Sequence, residues 1–545
     1  MTAVNTVPSA EGTSTSRKGD DLAEAISRRR TFAIIAHPDA GKTTLTEHLL
    51  LSAGAVRLAG EVTARGAQRR TRSDWMEIER KRGISITSSV MTFEYRGLTF
   101  NLLDTPGHSD FSEDTYRTLT AVDAAVMVLD AAKGIEEQTF KLFEVCRLRD
   151  IPIITFVNKI DRDALSPLEI FDDIAERLAL DAAPVVWPIG DGVGFRGVVD
   201  IERKELELTD PELFGAAARS YDAFLASPEV RRHPDAGPAL EQLDLALSAL
   251  PSFDLETFRA GHLTPVFYGS ALTDAGVKRL LDALADWAPP PRPQPAEPAP
   301  IEPQDSATTG FVFKVQANMD RNHRDRVAFM RLSSGRFSRG SRMRNMRTGK
   351  EIAISNPMFF FAQDRHLAEE AVAGDIIGIP NHGTLSVGDT LTDGAPVTVT
   401  GIPSFAPEIV RRVRLPDAMK AKQMAKALTD LAEEGVVQVF RPVIGSDWLV
   451  GVVGALQMDV LKSRLEEEYG VSVSFEDAGH QGARWPTAAD PQRLQAFLAA
   501  HRLALAEDRY GTPVFLVRDP WSFRVIRDNW PDIVFNTTRE RGQAV

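Results

Sequence analysis

Residues 36–44 read AHPDAGKTT, directly after the apolar run TFAIIA at 31–36 and directly before the helix-like LTEHLLLSAG at 45–54. A buried strand, a tight turn and then a helix is the context that a phosphate-binding loop requires. Backbone amides and the helix N-terminus are expected to hold phosphates. Lys42 is expected to reach the β and γ phosphates, and the Thr43 hydroxyl to ligate Mg2+. Ala36, His37, Pro38, Asp39, Ala40, Gly41 and Thr44 complete the loop. Its first position is Ala36 where glycine is commoner, so the loop by itself also fits an ordinary strand-to-helix turn.

Three further motifs decide the matter. DTPGH, from Asp104 through Thr105, Pro106 and Gly107 to His108, closes the apolar run LTFNLLD at 98–104. There Asp104 is expected to act on Mg2+ through water, and the Gly107 amide to sense a γ phosphate. NKID, comprising Asn158, Lys159, Ile160 and Asp161, closes PIITFVNK at 152–159. The Asp161 carboxylate can accept two hydrogen bonds from guanine. Adenine lacks those donors and would leave a carboxylate unpaired, so GTP is preferred to ATP. GSA at 269–271 follows TPVFY at 264–268, with Ser270 and Ala271 expected to offer backbone donors at the base. In an open α/β sheet, ligands gather beyond the carboxyl ends of the strands, so motifs at four strand ends converge on one crevice. The ligand read from them is GTP or GDP with Mg2+.

Around this site the chain divides by composition. From residue 21 to 288, apolar runs alternate with amphipathic segments, which predicts a parallel sheet with crossover helices. The interval between Asp161 and Ser270 is far longer than one helix and one strand need, so an insertion is expected over about 172–262. Residues 289–303 belong to a stretch with eight prolines in the sixteen residues 288–303, predicting an extended, semi-rigid spacer. Residues 304–397 carry short β-like stretches with glycines at turn spacing and predict a β-barrel. Residues 398–545 mix helical and strand patterns and predict an α+β sandwich. Residues 1–20 are small and polar and predict a disordered tail.

Hydrophobic residues make up 43% and charged residues 26% of the 545, the ordinary balance of a globular chain. No apolar run approaches the roughly 20 residues of a membrane span. The lone cysteine, Cys146, reads as a buried thiol. A net charge of −13 gives no whole-molecule field toward nucleic acid, so polyanion contact has to be local. One stretch qualifies: residues 321–350 hold ten Arg or Lys and one acid, Asp325.

These motifs are the signature of the translational GTPases, and the chain resembles that superfamily. RGISITS at 82–88 resembles its first switch segment, with Ser85 where a threonine normally binds Mg2+ and the γ phosphate. The resemblance gives His108 the role of orienting the attacking water, with hydrolysis stimulated by the ribosome. Ile84 resembles one residue of the apolar gate beside that histidine, while the facing loop position is Pro38. Within the superfamily, SDWMEIERKRGISITSSVM from Ser73, DTPGHSDFSEDTYRTL from Asp104, FVFKVQANMDRNHRDRVAFMRLSSG from Phe311 and GALQMDVLKSRLEEEYGV from Gly454 resemble the GTPase class of bacterial peptide chain release factors. That family implies a factor that uses GTP to eject stop-codon-reading (class I) release factors from the ribosome after peptide release. Arg324, Arg326 and Arg331 are then expected to face ribosomal RNA phosphates. The expected molecule is a cytoplasmic monomer that touches neither membrane nor DNA. Rival readings are a GTPase subunit of a metabolic enzyme, which would lack the long insertion, a nucleotide sensor that does not hydrolyse, and a truncated translocase.

Overall fold

The computed structural model describes residues 21–55, 85–317, 326–361 and 364–540. The expected tail at 1–20, the start of the first switch at 82–84 including Ile84, and Arg324 lie outside the described residues.

The first domain is built on a nine-stranded sheet. Its spatial order is Ser89–Tyr95, Leu98–Asp104, Arg29–Ala36, Ala124–Asp130, Ile153–Asn158, Leu263–Tyr268, Asp181–Ile189, Gly197–Asp200 and Glu205–Leu208. Pairing is parallel from Leu98–Asp104 through Asp181–Ile189 and antiparallel at the two flanks. Ala124–Asp130 and Ile153–Asn158 are buried at every position. Helices cover both faces of a parallel sheet, and an unbroken apolar run is what such a strand needs. The four strands expected to end in the motifs are present, with Ala124–Asp130 between two of them. The long stretch before Leu263–Tyr268 differs from a single insertion, because its first part joins the sheet as three strands. Pro184 and Pro188 disguise Asp181–Ile189, since proline ordinarily demotes a strand. The ladder accommodates this with a register shift between Pro184 and Val186.

Residues 289–303, expected as an extended, semi-rigid spacer, pair with the rest of the chain and with themselves. Ala296–Glu297 pairs with Thr398–Val399, the Gln294 and Ile301 amides and carbonyls bond each other, and the Arg292 amide donates to Asp123 Oδ1 at 3.1 Å. The segment turns back on itself between Gln294 and Ile301, and the Arg292 amide and the Ala296–Glu297 pairing fasten it to the domains beside it.

The second domain is an eight-stranded antiparallel sheet whose long strands are Thr309–Ala317, Arg326–Ser334 and Ile376–Pro380. The third sets helices Ala421–Glu434, Ala455–Glu467, Pro491–Ala500 and Pro520–Asn529 against a second eight-stranded sheet. The first two domains share one contiguous apolar core running from Phe32 to Ile402. The third has cores of its own, around Leu428 and Leu461, around Phe440 and Leu516, and around Phe497 and Phe515. A small separate cluster, Ile86, Phe111 and Val460, joins the third domain to the switch segments of the first.

Candidate functional site

The strand Arg29–Ala36 ends in the loop 37–41, and the helix Lys42–Ser52 begins at once behind it. Asp39 and Gly41 both adopt positive φ, at 65° and 94°. Glycine is required at the second: a Cβ on Gly41 would lie 2.2 Å from Asn158 Nδ2. Lys42 is buried and its Nζ donates to Asp104 Oδ1, bringing together the ends of two adjacent parallel strands. Thr105 and Pro106 are buried beside it, with the Thr105 hydroxyl donating to the Ile34 carbonyl at 2.7 Å. Gly107 runs so close to the loop that its Cβ would meet Pro38 Cα at 3.4 Å.

Asn158 ties the crevice together. Its Nδ2 donates to the Ala40 carbonyl at 2.8 Å, and its Oδ1 accepts from the Ala271 amide at 2.8 Å. Lys159 adds a second tie, donating to the Asp39 carbonyl at 2.5 Å and to Asp130 Oδ2 at 2.7 Å. Burial pushes the Asp130 carboxyl up, but the Lys159 hydrogen bond and the Ala132 amide outweigh it and hold the group below its ordinary pKa. Asp130, at the end of Ala124–Asp130, is a site residue that the motifs do not include. Its only signal is that the strand closes on a carboxylate, as Leu98–Asp104 does. Ser270 and Ala271 require a correction. The Ser270 amide donates to the Ala275 carbonyl at 3.1 Å and closes that turn, while the Ala271 amide donates to Asn158 Oδ1 at 2.8 Å and braces it, so neither stands open toward a base. Ile160 is buried, its amide on the Gly269 carbonyl at 3.3 Å, and Asp161 follows it partly exposed.

The switch segments lie at the same strand ends. Ser85 leads into the strand Ser89–Tyr95, in which Ser89 is in register with Asp104. His108 caps the single turn Ser109–Phe111: its Nδ1 accepts from the Asp110 amide at 3.2 Å. Asp114, one turn on, accepts from the Ser88 amide and hydroxyl, each at 2.7 Å, and faces Lys314 of the barrel at 3.6 Å. Burial raises the Asp114 pKa, and Lys314, the Ser88 hydrogen bonds and Arg117 more than reverse it, leaving a depressed value. Lys314 Nζ also donates to the Ser88 carbonyl. The acid-rich run SDFSED after DTPGH is the available sequence signal for these residues.

The basic stretch is not the open phosphate surface expected. Arg331 is buried, donating to Asp123 Oδ2 at 2.6 Å and to the Gly374 carbonyl at 2.7 Å. Arg326 is paired with Asp430 and, at 2.7 Å, with Glu433 of the third domain. Both are internal clamps between domains. Charge counting along the sequence detects a cluster but not the carboxylates that the fold brings to it.

Comparison with known proteins follows the same division. Residues 27–290 match the family model "Elongation factor Tu GTP binding domain", 307–394 "Elongation factor G domain 2", and 399–527 "Class II release factor RF3, C-terminal domain". Peptide chain release factor 3 of Bordetella petrii is 50% identical over 534 residues, spanning 96% of this chain and 99% of the relative. The protein of that name from Bordetella pertussis is 50% identical over 530 residues, with the same coverage of both chains. A crystal structure from Thermus thermophilus shares the fold with a TM-score of 0.64 at 24% identity, covering 85% of this chain and 69% of that one. A phosphate loop, an Asp-Thr-Pro-Gly-His switch and an Asn-Lys-Ile-Asp strand end set at one sheet edge, with this similarity along nearly the whole chain, lead to one conclusion: the protein belongs to the peptide chain release factor 3 family of translational GTPases, GTP-hydrolysing factors of translation termination.

Proposed function

We propose that this GTPase acts on the ribosome in the cytoplasm, as a monomer, and uses GTP to eject class I release factors after peptide release. The observation carrying the reading is the convergence of AHPDAGKTT, DTPGH and NKID at neighbouring strand ends, fastened to one another by Lys42, Asn158 and Lys159. The Asp161 carboxylate accepts the guanine donors, and the loop from Ala36 to Thr44 holds the phosphates. Among the described residues no group of three or more His, Cys, Asp or Glu could hold a metal by itself. The donors offered are instead the Thr43 and Ser85 hydroxyls and the Asp104 carboxylate, all hard oxygens, which suits Mg2+ shared with nucleotide phosphates. That ion supplies neutralisation of charge on the γ phosphate. His108 orients the attacking water, and the absence of an arginine finger among the motifs makes hydrolysis wait for the ribosome. With Arg326 and Arg331 engaged inside the protein, contact between the basic stretch and ribosomal RNA passes to the exposed Arg342, Arg344 and Lys350.

The test is GTP turnover by purified protein with and without ribosomes, combined with release of a labelled class I factor from terminated ribosomes. Stimulated turnover with ejection supports the reading. Stimulation without ejection assigns another ribosomal step, and no stimulation restores the metabolic-subunit or sensor readings.

A further inference from the structure

Asp110 stands two residues beyond the histidine and belongs to two structures at once. Its amide donates to His108 Nδ1 at 3.2 Å, and its carboxylate Oδ1 lies 3.4 Å from the same nitrogen. Its Oδ2 accepts from the Leu456 amide at 2.6 Å. Leu456 is in the first turn of Ala455–Glu467, the third-domain helix whose cap position, Gly454, has no side chain to satisfy the free amides. A carboxylate from another domain does the capping, with charge of the sign that a helix N-terminus favours. Gly454 is what admits it: a Cβ there would lie 2.0 Å from Asp110 Cγ.

The helix Ser112–Leu119 that follows this turn makes the complementary contact through its last turn. Arg117, buried and paired with Glu113, reaches Gly435 at the C-terminus of Ala421–Glu434, where a Cβ would lie 2.0 Å from its Nη1. The segment after His108 thus presents an acid to the N-terminus of one third-domain helix and a base to the C-terminus of another. Phe111 packs between them against Ile86 and Val460. Since the third domain has its own cores, these contacts can open without unfolding it.

We propose that Asp110 is a latch and a positioning residue for hydrolysis: while its carboxylate caps the third-domain helix, the turn Ser109–Phe111 is fixed and holds the His108 ring as its own cap. Undocking of the third domain frees the turn and allows the imidazole to swing to the attacking water. Docking and hydrolysis are two ends of one equilibrium, so loss of the cap favours the active arrangement without any change at the phosphate loop. The inference rests on the assignment of His108 given above.

The variant that opens the latch from the far side is Gly454→Ala. The residue has φ −132°, which alanine adopts freely, and the three atoms nearest its Cβ all belong to Asp110. Single-turnover GTP hydrolysis by the full-length protein without ribosomes should rise on the order of tenfold, the loss of one helix cap of about 1.4 kcal/mol. Hydrogen exchange at the Leu456 amide should quicken. Asp110→Ser should do the same from the near side, while Asp110→Asn, which keeps an acceptor oxygen, should restore most of the restraint. Turnover that is unchanged or lower in Gly454→Ala while Leu456 exchange quickens overturns the latch. If Gly454→Ala does not fold, the Asp110→Ser and Asp110→Asn pair decides by the same criterion. Adding His108→Ala separates the two claims. If it leaves ribosome-stimulated turnover intact, the assignment of His108 has failed; if it abolishes that turnover and the latch variants change nothing, the latch alone has failed.

Discussion

At Gly41 two demands meet in one residue. Its φ of 94° disfavours any side chain, and Asn158 Nδ2 occupies the place of a Cβ. Gly41→Ala is therefore expected to displace Asn158 and lower nucleotide affinity by roughly tenfold or more, about 1.4 kcal/mol, read by fluorescent-nucleotide titration. Asn158→Ala leaves the Ala40 carbonyl and Ala271 amide without partners, at about 1–3 kcal/mol for each buried group, and should lower both affinity and melting temperature. Cys146 behaves oppositely, being buried and functionally silent. Burial pushes its thiol up to about 12, against a lesser pull from Arg149 and Arg292. A thiol reagent at mildly alkaline pH should leave the native protein unlabelled and modify it fully in urea. This residue is legible in the sequence as an isolated cysteine in a helix-like stretch behind an apolar strand. Lys42, Asp104, Asn158 and Lys159 are likewise legible as members of motifs that sit at strand ends. Asp110 and Asp130 are not, since their partners, Leu456 and Lys159, become neighbours only through the fold.

Elements obey a similar division. Strands such as Ala124–Asp130 announce themselves because both faces are buried, whereas Asp181–Ile189 is hidden by two prolines that a bulge accommodates. The basic stretch shows how far a local pattern reaches: its composition is visible, its ion pairs are not. Arg331→Met leaves Asp123 buried without its cation, and breaking such a pair typically costs about 3–5 kcal/mol, expected as a lower denaturation midpoint. Adding Asp123→Asn should recover part of that loss, and a double-mutant cycle measures the coupling. Charge reversal at Arg331 is for the same reason a stability change before it is an RNA-binding change. The contact of Asp114 with Ser88 and Lys314 carries a pH signature. The folded pKa of Asp114 lies below its unfolded value, so its contribution is complete above the unfolded pKa of about 3.9 and disappears as pH falls through the lowered folded value. Acid unfolding of Asp114→Asn, followed by circular dichroism, should lack that component, and an unchanged acid limb would rule out the assignment.

For the whole molecule, the division into one shared core and one separately cored third domain determines how a phosphate event can be felt at a distance. The first two domains share Phe32, Phe313 and Met330 in one apolar cluster and should move together. The third touches the switch segments through Ile86, Phe111 and Val460, Asp110 and Arg117, so ordering or release of those segments acts on its docking. A net charge of −13 supplies no whole-molecule field toward nucleic acid, so the RNA contact proposed above has to be local. The change of pattern and composition along the chain conveys the three-domain plan, while the arrangement of the third domain on the switches needs the structure. Everything proposed for the crevice depends on the DTPGH histidine performing ribosome-triggered hydrolysis there. Multiple-turnover GTP hydrolysis with saturating ribosomes, comparing the natural protein with His108→Ala at matched GTP affinity, puts that dependence to the test. Strong stimulation is expected for the natural protein, with a loss of roughly a hundredfold or more in the variant, about 2.7 kcal/mol of transition-state stabilisation. Stimulation that survives in His108→Ala would remove the histidine from the chemistry and the proposed mechanism with it.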